Sequence, residues 1–259
     1  MKHFKESYLP KIDDLTGLSK GLIIDTEATG LDPHTSDILE LAIREFFYCP
    51  KTKKILSAGN SYSWLHQPKT ILSERITELT GITNDMVYGK SIDWDIVNTI
   101  VDSADVIIAH NSKFDYDQIS SYLIVPPIHC SLSLIDWDSR VLCDEIKRDQ
   151  VSLCHNIGGF LYKAHRALND ANALLLLLVT TDTLHELLSP RITLSLKGYI
   201  PDNFFKDYLQ PRRFKINHQT NVVSKEYPKT TNLDLIKRDI LSNSFNYDPR
   251  IALEFSHEK

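Results

Sequence analysis

GLIIDTEATGLD, residues 21–32, decides how this chain is read. GLIID is a continuous apolar run closed by a carboxylate, the pattern of a strand buried on both faces. Asp25 and Glu27 are two residues apart, so in an extended strand both side chains point to one side. They stand at the carboxyl end of the run, where open α/β sheets place their sites. Carboxylates this close repel, and keeping both ionised costs free energy unless a cation compensates. The following TEATGLDPHTSD reads as a loop, with Gly30 and Pro33 as turn residues.

Working outward, ILELAIREFFY and KILSAGNSYSWL are two further strands turned at KTKK, which predicts an antiparallel three-strand meander. SERITELTGI is a short helix between Ser73 and Gly81. DWDIVNTIVDSA is a helix with Ile96, Val97 and Ile100 inward, and DVIIAH is a fourth strand. KFDYDQISSYL is a helix ended by Pro126 and Pro127, IHCSLSLIDW holds a short fifth strand, and SRVLCDEIKRDQVSLCHNI contains one or two helices. ALNDANALLLLLVTTDTLHELL reads as one helix of about 20 residues, with leucine on every face and therefore buried. The expected fold is α/β: a mixed five-stranded sheet flanked by helices, its later strands parallel.

Two more strings carry chemistry. In IIAHNSKFDYDQI the apolar strand ends at His110 and Asn111, and Asp115 falls in the first turn of the next helix. In AHRALNDANALLLLL, Asp170 opens a helix that is otherwise Ala, Asn and Leu, and such a carboxylate needs a cation or a salt bridge, for instance to Arg166. His165 stands at the loop-to-helix transition. Asp25, Glu27, Asp115 and Asp170 could hold two divalent cations about 4 Å apart, and hard oxygen ligands suit Mg²⁺ or Mn²⁺. The chemistry also needs a base able to work near neutrality, the role histidine fits and His165 could take. This constellation is suited to phosphodiester hydrolysis.

The 259-residue chain divides by composition into an N-terminal extension (1–19), a domain over 20–190 and a small α+β module over 191–259, read as βαββα. Net charge is −5, so the whole chain announces no nucleic-acid binder. Residues 191–240, however, carry ten Lys or Arg against five Asp or Glu. There Arg212, Arg213, Lys215 and Lys225 stand close to Tyr208, Phe214 and Tyr227, a combination able to hold a phosphate backbone and stack bases. Cys49, Cys130, Cys143 and Cys154 match no CxxC metal site and read as reduced thiols of a cytoplasmic protein. No signal peptide or membrane span is expected; export by a route that reads no N-terminal signal stays open.

The three strings resemble the motifs of the DEDDh branch of the DnaQ-like 3'–5' exonucleases, the superfamily of the proofreading subunit of bacterial DNA polymerase III. DTEATG matches its DxExTG, HNSKFD its HNxxFD and HRALNDA its HRAxxDA, in order, over roughly residues 20–190. The resemblance extends to stand-alone bacterial members with a small C-terminal appendage. It implies an RNase H-like fold, two Mg²⁺ or Mn²⁺ ions on Asp25, Glu27, Asp115 and Asp170, and His165 as base. The implied reaction is hydrolysis of the last phosphodiester, releasing 5'-mononucleotides from a 3' end. By the same analogy Thr26, Ala28, Thr29 and Gly30 would meet the terminal nucleotide, Leu31 would wedge against its base, and Asn111 would shape the pocket. DEIKRDQVSLCHNIGG carries more charge than the apolar helix the family leads one to expect. The partner is then a nucleic-acid 3' end, DNA preferred, in repair or turnover, with a homodimer left open. An exoribonuclease with the same site, a polymerase-associated proofreader and a non-catalytic binding or interaction module are the alternatives.

Overall fold

The computed structural model describes residues 2–137, 140, 147–212, 214–228, 231–248 and 253–258. The chain forms two compact units, Met1–Leu187 and Leu188–Lys259.

In the first unit, β1 (Lys2–His3) is followed by the long strands β2 (Ser19–Ala28), β3 (Ile38–Tyr48) and β4 (Ile55–Leu65). Helices α1 (Glu74–Thr80), α2 (Asn84–Val87) and α3 (Trp94–Asp102) lead to β5 (Val106–Ala109), α4 (Ser112–Ile119), β6 (Ile128–Cys130) and α5 (Ser131–Leu134). Then come α6 (Gln150–Asn156), β7 (Phe160–Leu161), α7 (Ala167–Thr181) and α8 (Leu184–Leu188). The main sheet runs β4-β3-β2-β5-β6, with β2, β3 and β4 antiparallel and β5 and β6 parallel to β2. This is the expected RNase H-like arrangement.

The helix ends follow from their capping residues. Ser73 accepts from the Ile76 N–H, and Gly81 closes α1 in the left-handed region at φ 70°. Asp93 caps α3 in the same way. The core has two faces. Leu22, Ile24, Ile43 and Ile107 pack with Val97, Ile100 and Val101 of α3 on one side of the sheet. Ile23, Asp25 and Glu27 alternate to the other side, where α7 lies across β2 and β3. That face brings the β2 carboxylates towards the start of α7.

Two expectations need correction. Ile96 is 48% exposed, because Val97, Ile100 and Val101 already fill the inward stripe of α3. The leucine-rich helix is two helices: Asp182 takes a left-handed conformation at φ 51° and ends α7 before α8 begins. The N-terminal segment lies largely exposed along its unit, fastened where β1 pairs in parallel with β7, the Ala58 N–H donates to the Pro10 carbonyl, and Leu9 is buried.

The second unit holds β8 (Arg191–Gly198), a helical segment comprising α9 (Asp202–Phe204) and a wider turn over Phe205–Leu209, β9 (Lys215–Asn217), β10 (Val222–Pro228), α10 (Leu233–Tyr247) and β11 (Leu253–Glu258). Its sheet runs β11-β8-β10-β9, all antiparallel. The module is thus βαββαβ rather than βαββα. In β11, Leu253 and Phe255 alternate inward against the cluster of Leu194, Leu196, Phe204 and Val223. Among the described residues, no helix is long and apolar enough to cross a membrane.

Candidate active site

Period-two alternation puts Asp25 and Glu27 on one face of β2, and the register sets Asp25 opposite Ala42 and Glu27 opposite Glu40 of β3. The ladder is irregular just after Glu27, where the chain leaves the sheet. Asp170, in the first turn of α7, completes a triangle: one carboxylate oxygen each from Asp25, Glu27 and Asp170 lie within 4.8 Å of one another. Asp115 stands outside that triangle. It is buried at the start of α4 and accepts from the Thr26 Oγ1 at 2.9 Å.

Burial and mutual repulsion hold these carboxyls far from their ordinary range. Glu27 is pushed up to about 8, first by burial and then by Asp170, Glu40 and Asp115. Asp115 is pushed up to about 7, chiefly by burial, against the lowering effect of its bond from Thr26. Asp25 is raised well above the usual carboxylate range by burial and by the charge of Asp115 and then Asp170. Asp170 is also raised by burial, although Tyr162 and the Arg166 N–H favour its ionised form. A set of crowded oxygen donors, three half-buried and Asp115 buried, that cannot all ionise together is stabilised by a hard divalent cation. The residues present fit one.

His165 is exposed and sits at φ 64°, a left-handed conformation that costs a non-glycine residue about 1 kcal/mol. The neighbouring residues hold the loop in place. Arg166 donates to Glu40 through Nε at 2.9 Å and Nη2 at 3.0 Å, and the Ala167 N–H donates to Glu40 Oε2 at 3.1 Å. Ser63 adds a fourth donor to Glu40 at 2.9 Å. The Arg166 N–H reaches Asp170 Oδ2 at 3.1 Å, and Asn169 holds the Lys163 carbonyl at 2.9 Å. The side chain of Arg166 therefore pairs with Glu40 rather than with Asp170. Sequence reading missed Glu40. The available signal was a charge within the apolar run ILELAI, which needs a buried partner.

Beside the carboxylates, Thr29 and Asp37 close the loop through reciprocal bonds: Thr29 N–H to the Asp37 carbonyl and Asp37 N–H to Thr29 Oγ1, both 2.9 Å. The Gln118 side-chain amide of α4 reaches Ser36 Oγ at 3.1 Å and fastens the same loop. Ala28 is buried, Gly30 half-buried, and Leu31 87% exposed at the loop's tip. Asn111 is exposed in the left-handed region at φ 69°.

In the second unit, Lys215 is exposed on β9. Arg212 is held over the Tyr208 ring at 3.9 Å and donates to the Tyr208 carbonyl. Lys225 lies 4.7 Å from the Tyr227 ring centre. The aromatics expected to stack bases are core residues: Tyr208, Phe214 and Tyr227 are each less than 5% exposed. Arg213 and Cys143 lie outside the described residues; Cys49, Cys130 and Cys154 are free thiols.

The sheet order and the carboxylate triangle at the end of its central strand define the class: an RNase H-like nuclease fold. The exonuclease family (RNase_T) matches residues 22–178, and the chain belongs to that family. Residues 22–178 are a DEDDh-type 3'–5' exonuclease domain, and Asp25, Glu27, Asp115, His165 and Asp170 all lie within them. Among curated relatives, the PolC-type DNA polymerase III of Halalkalibacterium halodurans is 28% identical over 66% of this chain and 11% of its own length. The DNA polymerase III subunit epsilon of Aquifex aeolicus is 28% identical over 58% of this chain and 74% of its own. The match therefore spans about a tenth of the PolC-type polymerase. A solved structure of exonuclease I shares the fold, with a TM-score of 0.51 at 14% identity, over 68% of this chain and 48% of that one.

Proposed function

We propose that the protein is a divalent-metal-dependent 3'–5' exonuclease that removes 5'-mononucleotides from DNA, at single-stranded or frayed 3' ends. The observation that carries this reading is the triangle of Asp25, Glu27 and Asp170 beside a histidine on a clamped loop. The DNA preference is supported by relatives named as parts of DNA polymerase III.

Asp25, Glu27, Asp115 and Asp170 would hold two Mg²⁺ or Mn²⁺ ions, whose charge would stabilise the attacking and leaving oxygens of an in-line displacement. The 3'-terminal nucleotide enters along the Thr26–Gly30 segment, where small side chains let the strand approach the backbone, and Leu31 meets its base. Asn111 would help shape the same pocket. His165 takes a proton from the attacking water on a ring nitrogen, and its exposed position lets it pass that proton on to solvent. The water oxygen bonds to phosphorus as the bond from phosphorus to the 3' oxygen of the preceding nucleotide breaks; that oxygen takes a proton from solvent, leaving a strand one residue shorter with a 3' hydroxyl. Arg212, Arg213 and Lys215 would contact the phosphate backbone of the strand. The protein acts as a free-standing repair or turnover enzyme of the cytoplasm, either alone or as a homodimer.

The test is competition between DNA and RNA strands of one sequence, with products separated by chromatography. Faster loss of DNA with 5'-mononucleotide products supports the proposal. Preferential loss of RNA would move the assignment to an exoribonuclease.

A further inference from the structure

Tyr162 belongs to no motif, yet it touches the last carboxylate of the site. It follows the two-residue strand β7, is half-buried, and its hydroxyl donates to Asp170 Oδ1 at 2.7 Å. The side-chain amide of Gln150, the first residue of α6 and 8% exposed, donates both to the Tyr162 hydroxyl at 3.2 Å and to the Asp170 carbonyl at 2.7 Å. On the opposite side Asp170 Oδ2 accepts the Arg166 N–H at 3.1 Å. Both oxygens of this carboxylate are therefore gripped by the protein itself.

We propose that Tyr162 is a positioning residue for the metal site, set by Gln150, which fixes the rotation of the Asp170 carboxylate so that it faces Asp25 and Glu27. This rests on the nuclease reading only for its consequence in catalysis. The physical argument is local. Asp170 stands in the first turn of α7 with a side chain free to turn about two torsions, and the Arg166 N–H alone constrains one oxygen. A second donor on the other oxygen leaves one orientation. The remaining lone pair of each oxygen stays available, so bracing and ligation do not compete. The hydroxyl also spreads part of the negative charge that crowds Asp25 and Glu27. Groups that orient a ligand in this way typically change metal affinity by roughly 10-fold to 100-fold when removed. The bracing reaches from α6, so the polar character of residues 147–156 acquires a use: Gln150 stands where an apolar helix would offer no donor.

The experiment measures Mn²⁺ binding by the loss of the free-ion electron paramagnetic resonance signal, on full-length metal-free protein without nucleic acid. Wild type, Tyr162→Phe and Gln150→Ala are compared, with thermal melting in EDTA as the folding control. Cleavage of a labelled DNA strand is followed against Mg²⁺ concentration. Tyr162→Phe is expected to bind Mn²⁺ roughly 10-fold or more weakly, to need correspondingly more Mg²⁺ for half-maximal rate, and to leave the KM for DNA unchanged. Gln150→Ala is expected to shift in the same direction by less. If Tyr162→Phe does not fold, Gln150→Ala decides. Mn²⁺ affinity within twofold of wild type in the folded variants overturns the proposal, whatever happens to the rate. A wild type that binds Mn²⁺ yet cleaves nothing would refute the nuclease reading, while the binding comparison would still decide the role of Tyr162.

Discussion

Replacing Glu40 by Gln should unfasten the loop that carries His165, and its cost can be worked from the contacts. Glu40 is 1% exposed and accepts from Arg166 Nε, Arg166 Nη2, the Ala167 N–H and Ser63 Oγ at 2.9, 3.0, 3.1 and 2.9 Å. Breaking a buried pair by removing one charge costs about 3–5 kcal/mol when the other stays buried. The Arg166 side chain is 32% exposed, so its guanidinium regains water, and about 2–3 kcal/mol is the better figure. Glutamine keeps the volume but turns an NH₂ towards donors. An opposing effect exists: the Glu40 charge helps push Glu27 and Asp25 upward, so its loss relieves repulsion once they ionise. That relief is small at pH 6, where Glu27, held at about 8, is mostly protonated. In EDTA at pH 6, the transition of the exonuclease unit should therefore fall by about 4–12 °C, at about 2–4 °C per kcal/mol for a unit of this size. It is recognised as the transition that Mn²⁺ raises in wild type. The deficit should narrow towards pH 9. Melting of Glu40→Gln within about 1 °C of wild type at pH 6 would refute the reasoning.

Three further outcomes are expected. Asp25, Glu27, Asp115 and Asp170 are all raised above their unfolded pKa values, so the stability they contribute is full below about pH 4 and is lost as pH rises, through about 7 for Asp115 and about 8 for Glu27; in EDTA, melting temperature should fall from pH 5 to pH 9 and recover with Mn²⁺, and a flat or rising profile without metal would contradict the charge balance. His165→Ala should lower the cleavage rate about 10²–10⁴-fold while Mn²⁺ binding stays unchanged, and a rate within threefold of wild type would remove His165 from the role of base. Gly21→Ala should destabilise by about 1–3 kcal/mol, because an added Cβ would lie 2.1 Å from Cζ of the fully buried Phe46; an unchanged melting temperature would show that β2 and β3 can part there.

The core of this fold was legible because its signals are local. The run GLIID and the two-residue spacing of Asp25 and Glu27 state a buried strand with both carboxylates on one side, and the register with β3 bears that geometry out. Ser73 and Gly81 announce the ends of α1 through capping. Asp182 gave no such warning: it is neither Gly nor Pro, yet it turns left-handed and splits the leucine helix. Tyr208, Phe214 and Tyr227 misled for a different reason. A module of this size has few apolar side chains, so it must spend its aromatics on its own core. The charge of Glu40 within ILELAI signalled a buried partner without naming it, and Tyr162 carried no signal at all, because their partners, Arg166 and Asp170, lie 126 and eight positions away in sequence. Only folding brings the first pair together, and an eight-residue separation across a loop follows neither strand nor helix spacing.

The most direct test of the central claim uses a 5'-labelled DNA strand with wild type and Asp25→Ala, each with Mg²⁺ or with EDTA. Stepwise shortening from the 3' end by wild type with Mg²⁺, abolished by EDTA and by Asp25→Ala, is the predicted result. Shortening that survives in EDTA or in folded Asp25→Ala, or its absence in wild type that binds Mn²⁺, would contradict the account.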